Sequence, residues 1–181
     1  YDLPSGSIAL LLEVKACIFT VGEPTELYFS LYNKQQKRFI SEEYMIELTA
    51  LGMPKDERLI QNIRTLFCDI SEEHFTSDLY LVCRIFRRGK MVLDEKAIVS
   101  SSELMKKQSL LSKEEEDPEE ETFYRRPFGC AVLPITPTII SEFLMQGKEF
   151  APGNLALFFS PNEANYPILH EMIINGNGNY E

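Results

Sequence analysis

DLYLVCRIFRRGKMVL, Asp78 to Leu93, places Leu79, Leu81, Cys83 and Ile85 on one side of an extended chain and Tyr80, Val82, Arg84 and Phe86 on the other. Successive side chains of a strand point to opposite faces, so this is a strand apolar on both sides at its start, acquiring a basic rim as it leaves the core. Arg87-Arg88-Gly89-Lys90 reads as a tight turn, with glycine adopting a backbone angle that other residues resist. Met91, Val92 and Leu93 resume the apolar run. The expectation is a hairpin closed at Gly89.

Working outward, Ser7–Phe19 alternates loosely and reads as a long strand. After a turn at Val21–Pro24 comes an aromatic-rich strand over Leu27–Tyr32. The chain turns at Asn33–Gln36 and runs through two short extended pieces within Arg38–Leu48, either side of Ser41-Glu42-Glu43. Further strands are expected over Ile63–Ile70 and Phe123–Ile135, the latter with a bulge or a close backbone approach at Gly129. Leu155–Phe159 reads as a short buried strand. Helical spacing is confined to connections. Lys55–Asn62 has Leu59 and Ile60 as its apolar side, and Glu103–Leu111 holds a few apolar residues. Thr136-Pro137 caps a stretch with Ile139, Ile140, Phe143 and Leu144 that ends at Gly147. Tyr166–Ile174 has Asn165 as cap, Pro167 near its start and Gly176 beyond its end. Strands recurring about every ten residues, with two or three short helices between them, predict a mainly β protein, an antiparallel β-sandwich.

At 181 residues the chain is expected to form one domain, 1–181, large enough for a hydrophobic core without staples. No run of about 18 apolar residues occurs, so no helix is expected to span a membrane. Tyr1-Asp2-Leu3-Pro4 has no signal-peptide pattern and no initiator methionine, so a fragment of a longer chain is expected. Cys17, Cys68, Cys83 and Cys130 lie far apart in apolar runs and are expected to be reduced, buried thiols. The net charge is −10, yet seven of the eight residues from Glu114 to Glu121 are acidic; elsewhere 21 acidic residues face 18 basic ones. Residues 94–122 therefore read as a polar insertion, a long acidic loop whose repelling charges keep it solvated and disordered. Neither part has the basic footprint of a nucleic-acid binder.

His74 and His170 are the only histidines, and neither sits in a metal-binding spacing; solvent-facing or capping roles are expected. No nucleophile elbow or phosphate loop occurs, and thiols in apolar surroundings are inert. The aspartates are scattered, so no calcium cage is expected. No catalytic residue, metal or cofactor is expected. Two basic clusters remain, Arg84, Arg87, Arg88 and Lys90 in one and Arg125-Arg126 in the other. Two readings are open: a contact for anionic lipid or an acidic partner, or charges that solubilise the turn or pair with the glutamate loop. Ser112, followed by Lys113-Glu114-Glu115, is a candidate phosphorylation site for an acid-directed kinase.

Val21-Gly22-Glu23, Glu26-Leu27, Leu31-Tyr32, Arg38-Phe39-Ile40-Ser41-Glu42 and Tyr44 together resemble the N-terminal region of dedicator-of-cytokinesis (DOCK) proteins. So do Asp78-Leu79-Tyr80-Leu81-Val82, Ile85, Arg88-Gly89-Lys90-Met91 and Arg125-Arg126-Pro127-Phe128-Gly129-Cys130-Ala131-Val132, in the same order along most of the chain. The likeness is to the Rac-directed branch. It implies a C2-like sandwich preceding the first DOCK-homology region. The resemblance further implies a non-catalytic module of a guanine nucleotide exchange factor whose exchange activity on Rac-type GTPases lies elsewhere in the protein. Expected partners are neighbouring domains and an ELMO-type adaptor, in the cytoplasm, with recruitment to the plasma membrane.

Overall fold

In a computed structural model, residues 7–15, 17, 22–75, 78–90, 123–139, 141, 155–178 and 180 are described. The fold is mainly β, with antiparallel strands in two sheets and a few short helices. Strands β1 (Ser7–Val14) and β5 (Ile63–Ser71) pair as a two-stranded sheet. The second sheet is built on β2 (Thr25–Asn33), with β6 (Leu79–Lys90) along one side and β7 (Phe123–Ile135) beyond it. Along the other side of β2 lie β3 (Arg38–Phe39) and β4 (Tyr44–Leu48), end to end. Between those two short strands the Ser41 hydroxyl accepts the Leu31 N–H at 2.8 Å, so a side chain fills the gap in the ladder.

Alternation decides what each face meets. Leu27, Phe29 and Leu31 of β2, Leu79, Leu81, Cys83 and Ile85 of β6, and Ala131 and Ile135 of β7 face inward. They pack against Ile63, Phe67 and Ile70 of β5, with Ile8, Leu10, Leu12 and Val14 of β1 at the margin. The two sheets thus enclose one apolar core, the expected sandwich. On the outer face Tyr32, Val82 and Cys130 form a second cluster under Leu169. That leucine opens α2 (Leu169–Asn175), which follows a 3-10 turn over Glu163–Ile168. A short α1 (Glu72–Phe75) continues from β5, and a single 3-10 turn, Glu57–Leu59, is capped by Asp56.

Several local expectations are corrected. Gly89 is not at a turn: β6 continues to Lys90 and pairs with β7 throughout, Gly89 opposite Tyr124 and Lys90 opposite Phe123. A Cβ at Gly89 would collide with the Glu23 carboxylate, so glycine there makes room for a neighbour, not for a reversal. The partner of this hairpin is β7, and Met91, Val92 and Leu93 lie outside the described residues. Asn165 is not the cap: the 3-10 turn is capped by Asn162, whose Oδ1 accepts the Ala164 N–H at 3.0 Å, and α2 follows Ile168 with no side-chain cap; Gly176, at φ 64, closes it as expected. Leu155–Phe159 is not a buried strand: it touches the sheet through one bridge, Phe158 to Cys130, and Leu155 and Phe159 are exposed. Strand β1 runs over Ser7–Val14, and Ala16, Ile18 and Phe19 of the expected strand lie outside the described residues.

Both expectations for Gly129 hold. Phe128 is the extra residue of a bulge, because Ile85 pairs with Gly129 and Phe86 with Pro127. A Cβ on Gly129 would also lie 2.9 Å from Leu157 Cδ1 and 3.0 Å from the Phe158 carbonyl oxygen. The expected insertion 94–122, the helix near Glu103–Leu111, Ser112, the run Glu114–Glu121, and Phe143, Leu144 and Gly147 fall outside the described residues.

Candidate interaction surface

The even-numbered residues of β2 and β6 point to the outer face, which puts Glu26, Tyr28, Arg84, Phe86 and Arg88 beside one another beyond the helix-covered cluster. From Cys130 toward the start of β7, alternation alone would bring Arg126 to this face. The bulge at Phe128 inverts the order, because a slip of one residue exchanges the faces of all that follow it. Arg125 therefore stands opposite Arg88, and Arg126 opposite Arg87.

Glu26 is the centre of the group. Its carboxylate is 4% exposed, yet it is charged and fully partnered. Oε2 accepts from Arg125 Nε at 2.7 Å and from the Tyr28 hydroxyl at 3.0 Å, and Oε1 lies 2.5 Å from Arg88 Nε. Burial pushes the Glu26 carboxyl up, but the bonds from Arg125 and Tyr28 and the charges of Arg88 and Arg125 outweigh it, so the group is held below its ordinary value. The Arg125 guanidinium lies 3.6 Å above the centre of the Phe86 ring and 5.1 Å from that of Tyr28, a cation–π arrangement that fixes it in place. Burial acts to lower the Arg125 pKa, but its bond to Glu26 wins and raises it.

Arg84 reaches from β6 across β2 toward β3. It pairs with Glu43, and its guanidinium carbon lies 4.9 Å from the centre of the Phe39 ring. Burial lowers its pKa. Arg87 lies 3.6 Å from Glu23, an ion pair too long for a hydrogen bond. Four of the six basic residues singled out by sequence thus meet carboxylates of the fold. Arg126 has no ion-pair partner among the described residues, and only the backbone of Lys90 is described. The three acids, Glu23, Glu26 and Glu43, were missed, since each is distant in sequence from its arginine. One signal was visible: Glu26 and Tyr28 share a face in an otherwise apolar strand.

The remaining chemistry-bearing groups are scattered. His170 is buried rather than solvent-facing, its ring 4.6 Å from that of Tyr32 and 5.0 Å from that of Phe39. Burial lowers its pKa, and it stays neutral at pH 7. His74 Nδ1 lies 3.1 Å from Asn33 Nδ2. All four cysteines are free thiols; Cys83 and Cys130 are buried as expected, but Cys68 is exposed on β5. Burial pushes Cys130 up to about 12, against the opposing pull of Arg84, so it is un-ionised at neutral pH. A shallow groove of about 360 Å³ is lined by Met45, Glu47, Lys55 and Asp56, in which Lys55 already pairs with Glu47 at 2.8 Å. No described helix is long and apolar enough to cross a membrane.

Four arginines of this sandwich surface are thus countered by carboxylates of the same chain. The family model described as DOCK N-terminus matches residues 4–181, and the chain belongs to that family. It is 32% identical over 155 residues to dedicator of cytokinesis protein 3 of Homo sapiens, covering 86% of this chain and 7% of that protein. To dedicator of cytokinesis protein 4 of Homo sapiens it is 28% identical over 166 residues, covering 91% of this chain and 7% of that protein. The chain thus spans a small part of the length of the curated relatives it matches.

Proposed function

We propose that this chain is a non-catalytic, C2-like interaction module of a guanine nucleotide exchange factor for Rac-type GTPases, presenting its sheet faces and loops to neighbouring domains and to an ELMO-type adaptor. One observation carries the non-catalytic part. The arginines that would be the site's reactive or ligand-binding groups are tied to Glu23, Glu26 and Glu43, and the thiols of Cys83 and Cys130 are held un-ionised by burial. Residues 1–181 act as one domain in the cytoplasm, and the exchange chemistry lies in other parts of the protein. The test is nucleotide release from a Rac-type GTPase loaded with fluorescent GDP. The chain alone should leave the intrinsic rate unchanged, and any saturable acceleration overturns the assignment.

Peripheral binding to anionic lipid is the second reading, favoured by Arg126, which has no carboxylate partner among the described residues. It ranks lower because each basic residue near an anionic surface contributes only about 1 kcal/mol, and most of these are already paired. Sedimentation with phosphatidylserine vesicles at low and high salt separates the two. Ser112 stands as a phosphorylation site to be checked by phosphopeptide mapping.

A further inference from the structure

Four arginines meet at one end of the β6–β7 ladder as two directly opposed pairs, Arg88 with Arg125 and Arg87 with Arg126. Like charges set opposite one another across a ladder work against folding. Glu26 compensates the first pair and Glu23 holds Arg87, which leaves Arg126 facing Arg87 with no carboxylate of its own among the described residues. Among the described residues, four guanidinium groups meet two carboxylates at this corner.

The corner is also a sheet edge. Strand β7 ends the five-stranded sheet, and among the described residues its outer side is met over residues 128–130, where the Tyr166 hydroxyl donates to the Phe128 carbonyl at 2.8 Å and Cys130 bridges to Phe158. Among the described residues nothing pairs with the backbone of residues 123–127 on that side, which offers ladder groups at every position except the missing N–H of Pro127. Along this edge the pleat sends Arg125 to the outer face and Arg126 to the inner one, with Tyr124 exposed beside them.

We propose that this edge receives an extended acidic protein segment as an added strand, with alternate carboxylates meeting Arg125 on one face and Arg126 on the other. Strand addition of this kind draws affinity from main-chain hydrogen bonds and selectivity from alternate side chains. The two-faced placement is what selects a strand over a membrane. A lipid surface is approached from one side and gathers cations on that side, whereas these arginines are divided between opposite faces of one strand. The proposal rests on reading the chain as an interaction module, and it adds the place, the geometry and the partner's chemistry.

The test uses a dye-labelled ten-residue peptide alternating glutamate and threonine, titrated into the 181-residue chain by fluorescence anisotropy. Saturable binding is expected, weakened by salt, about tenfold weaker for Arg126→Glu, and abolished by N-methylating alternate peptide amides. Thermal melting of Arg126→Glu should not fall below the parent, because among the described residues that side chain supports no carboxylate and a glutamate opposite Arg87 removes a like-charge pair. Unchanged affinity for Arg126→Glu overturns the proposal and leaves the arginines as guards against edge pairing. Binding to phosphatidylserine vesicles in place of the peptide overturns it in favour of a membrane. Peptide binding that emerges only when Glu114–Glu121 are replaced by glutamine and serine overturns it in favour of the chain's own acidic run. Catalytic inertness in the nucleotide-release assay is read separately, so either conclusion can fail alone.

Discussion

Along β2, β6 and β7 the outer face of the larger sheet is closed in two ways. At one end Tyr32, Val82 and Cys130 lie beneath Leu169 of α2, and water is kept out by apolar contact. At the other, Tyr28 and Phe86 lie beneath Arg125, and the covering layer is a guanidinium anchored to a buried carboxylate. The same strands and the same alternation serve both ends; only the identities of the outward residues differ. Closure by the helix depends on area and fit and should be indifferent to salt, although His170, buried and with its pKa lowered below 6.5, makes it lose stability as the pH falls. Closure by ions depends on a charge state, and is open to change by salt and by acid alike.

The largest expected effect falls on the helix end. Leu169→Ala removes a fully buried side chain and should cost about 2–5 kcal/mol in urea unfolding, with no dependence on ionic strength. A loss below about 1 kcal/mol would mean that α2 is not what seals this half. Next comes Glu26→Gln, which leaves Arg88 and Arg125 facing each other across the ladder without a counter-charge. Both arginines are half exposed and regain water, so the cost should be about 2 kcal/mol, below that of breaking a fully buried pair. This contribution has a definite pH dependence. The folded carboxyl is held below its ordinary value, so its stabilisation is present above pH 4.5 and is lost as the pH falls through the lower folded value. Acid titration of the parent should show that loss, and the glutamine variant should lack it. The smallest effect falls on a polar contact of the helix end. Tyr32→Phe removes the hydroxyl that donates to Glu171 Oε1 at 2.9 Å and should cost about 1 kcal/mol by thermal unfolding. A cost near zero would mean that the Tyr32 hydroxyl adds nothing to the apolar closure of that end.

Much of the sandwich was legible because alternation is a local signal: β2, β4, β5 and β7 are recognisable from aromatic and branched residues at every second place. What was not legible depends on contacts between distant parts of the chain. Arg-Arg-Gly-Lys has the chemistry of a turn, and only the position of Glu23 against Gly89 explains why the strand runs on. His170 carries no mark of burial in its surroundings; it is buried because α2 lies across Tyr32 and Phe39. The arginines of the surface could be picked out from composition, but their partners could not, since Glu26 and Arg125 are 99 positions apart. Cys68 belongs to an apolar run yet faces solvent, because β5 is covered on its inner side only.

The extra residue at Phe128 sets the phase of everything before it in β7. Straightening the bulge with every residue kept would set Phe128 opposite Phe86 and Arg126 opposite Arg88 on the outer face, and would leave Arg125 opposite Gly89 on the inner one. The electrostatic pattern of this corner is thus written in the spacing of the backbone as much as in the choice of side chains. A change of pairing there would redraw the surface while leaving every charge in the composition intact.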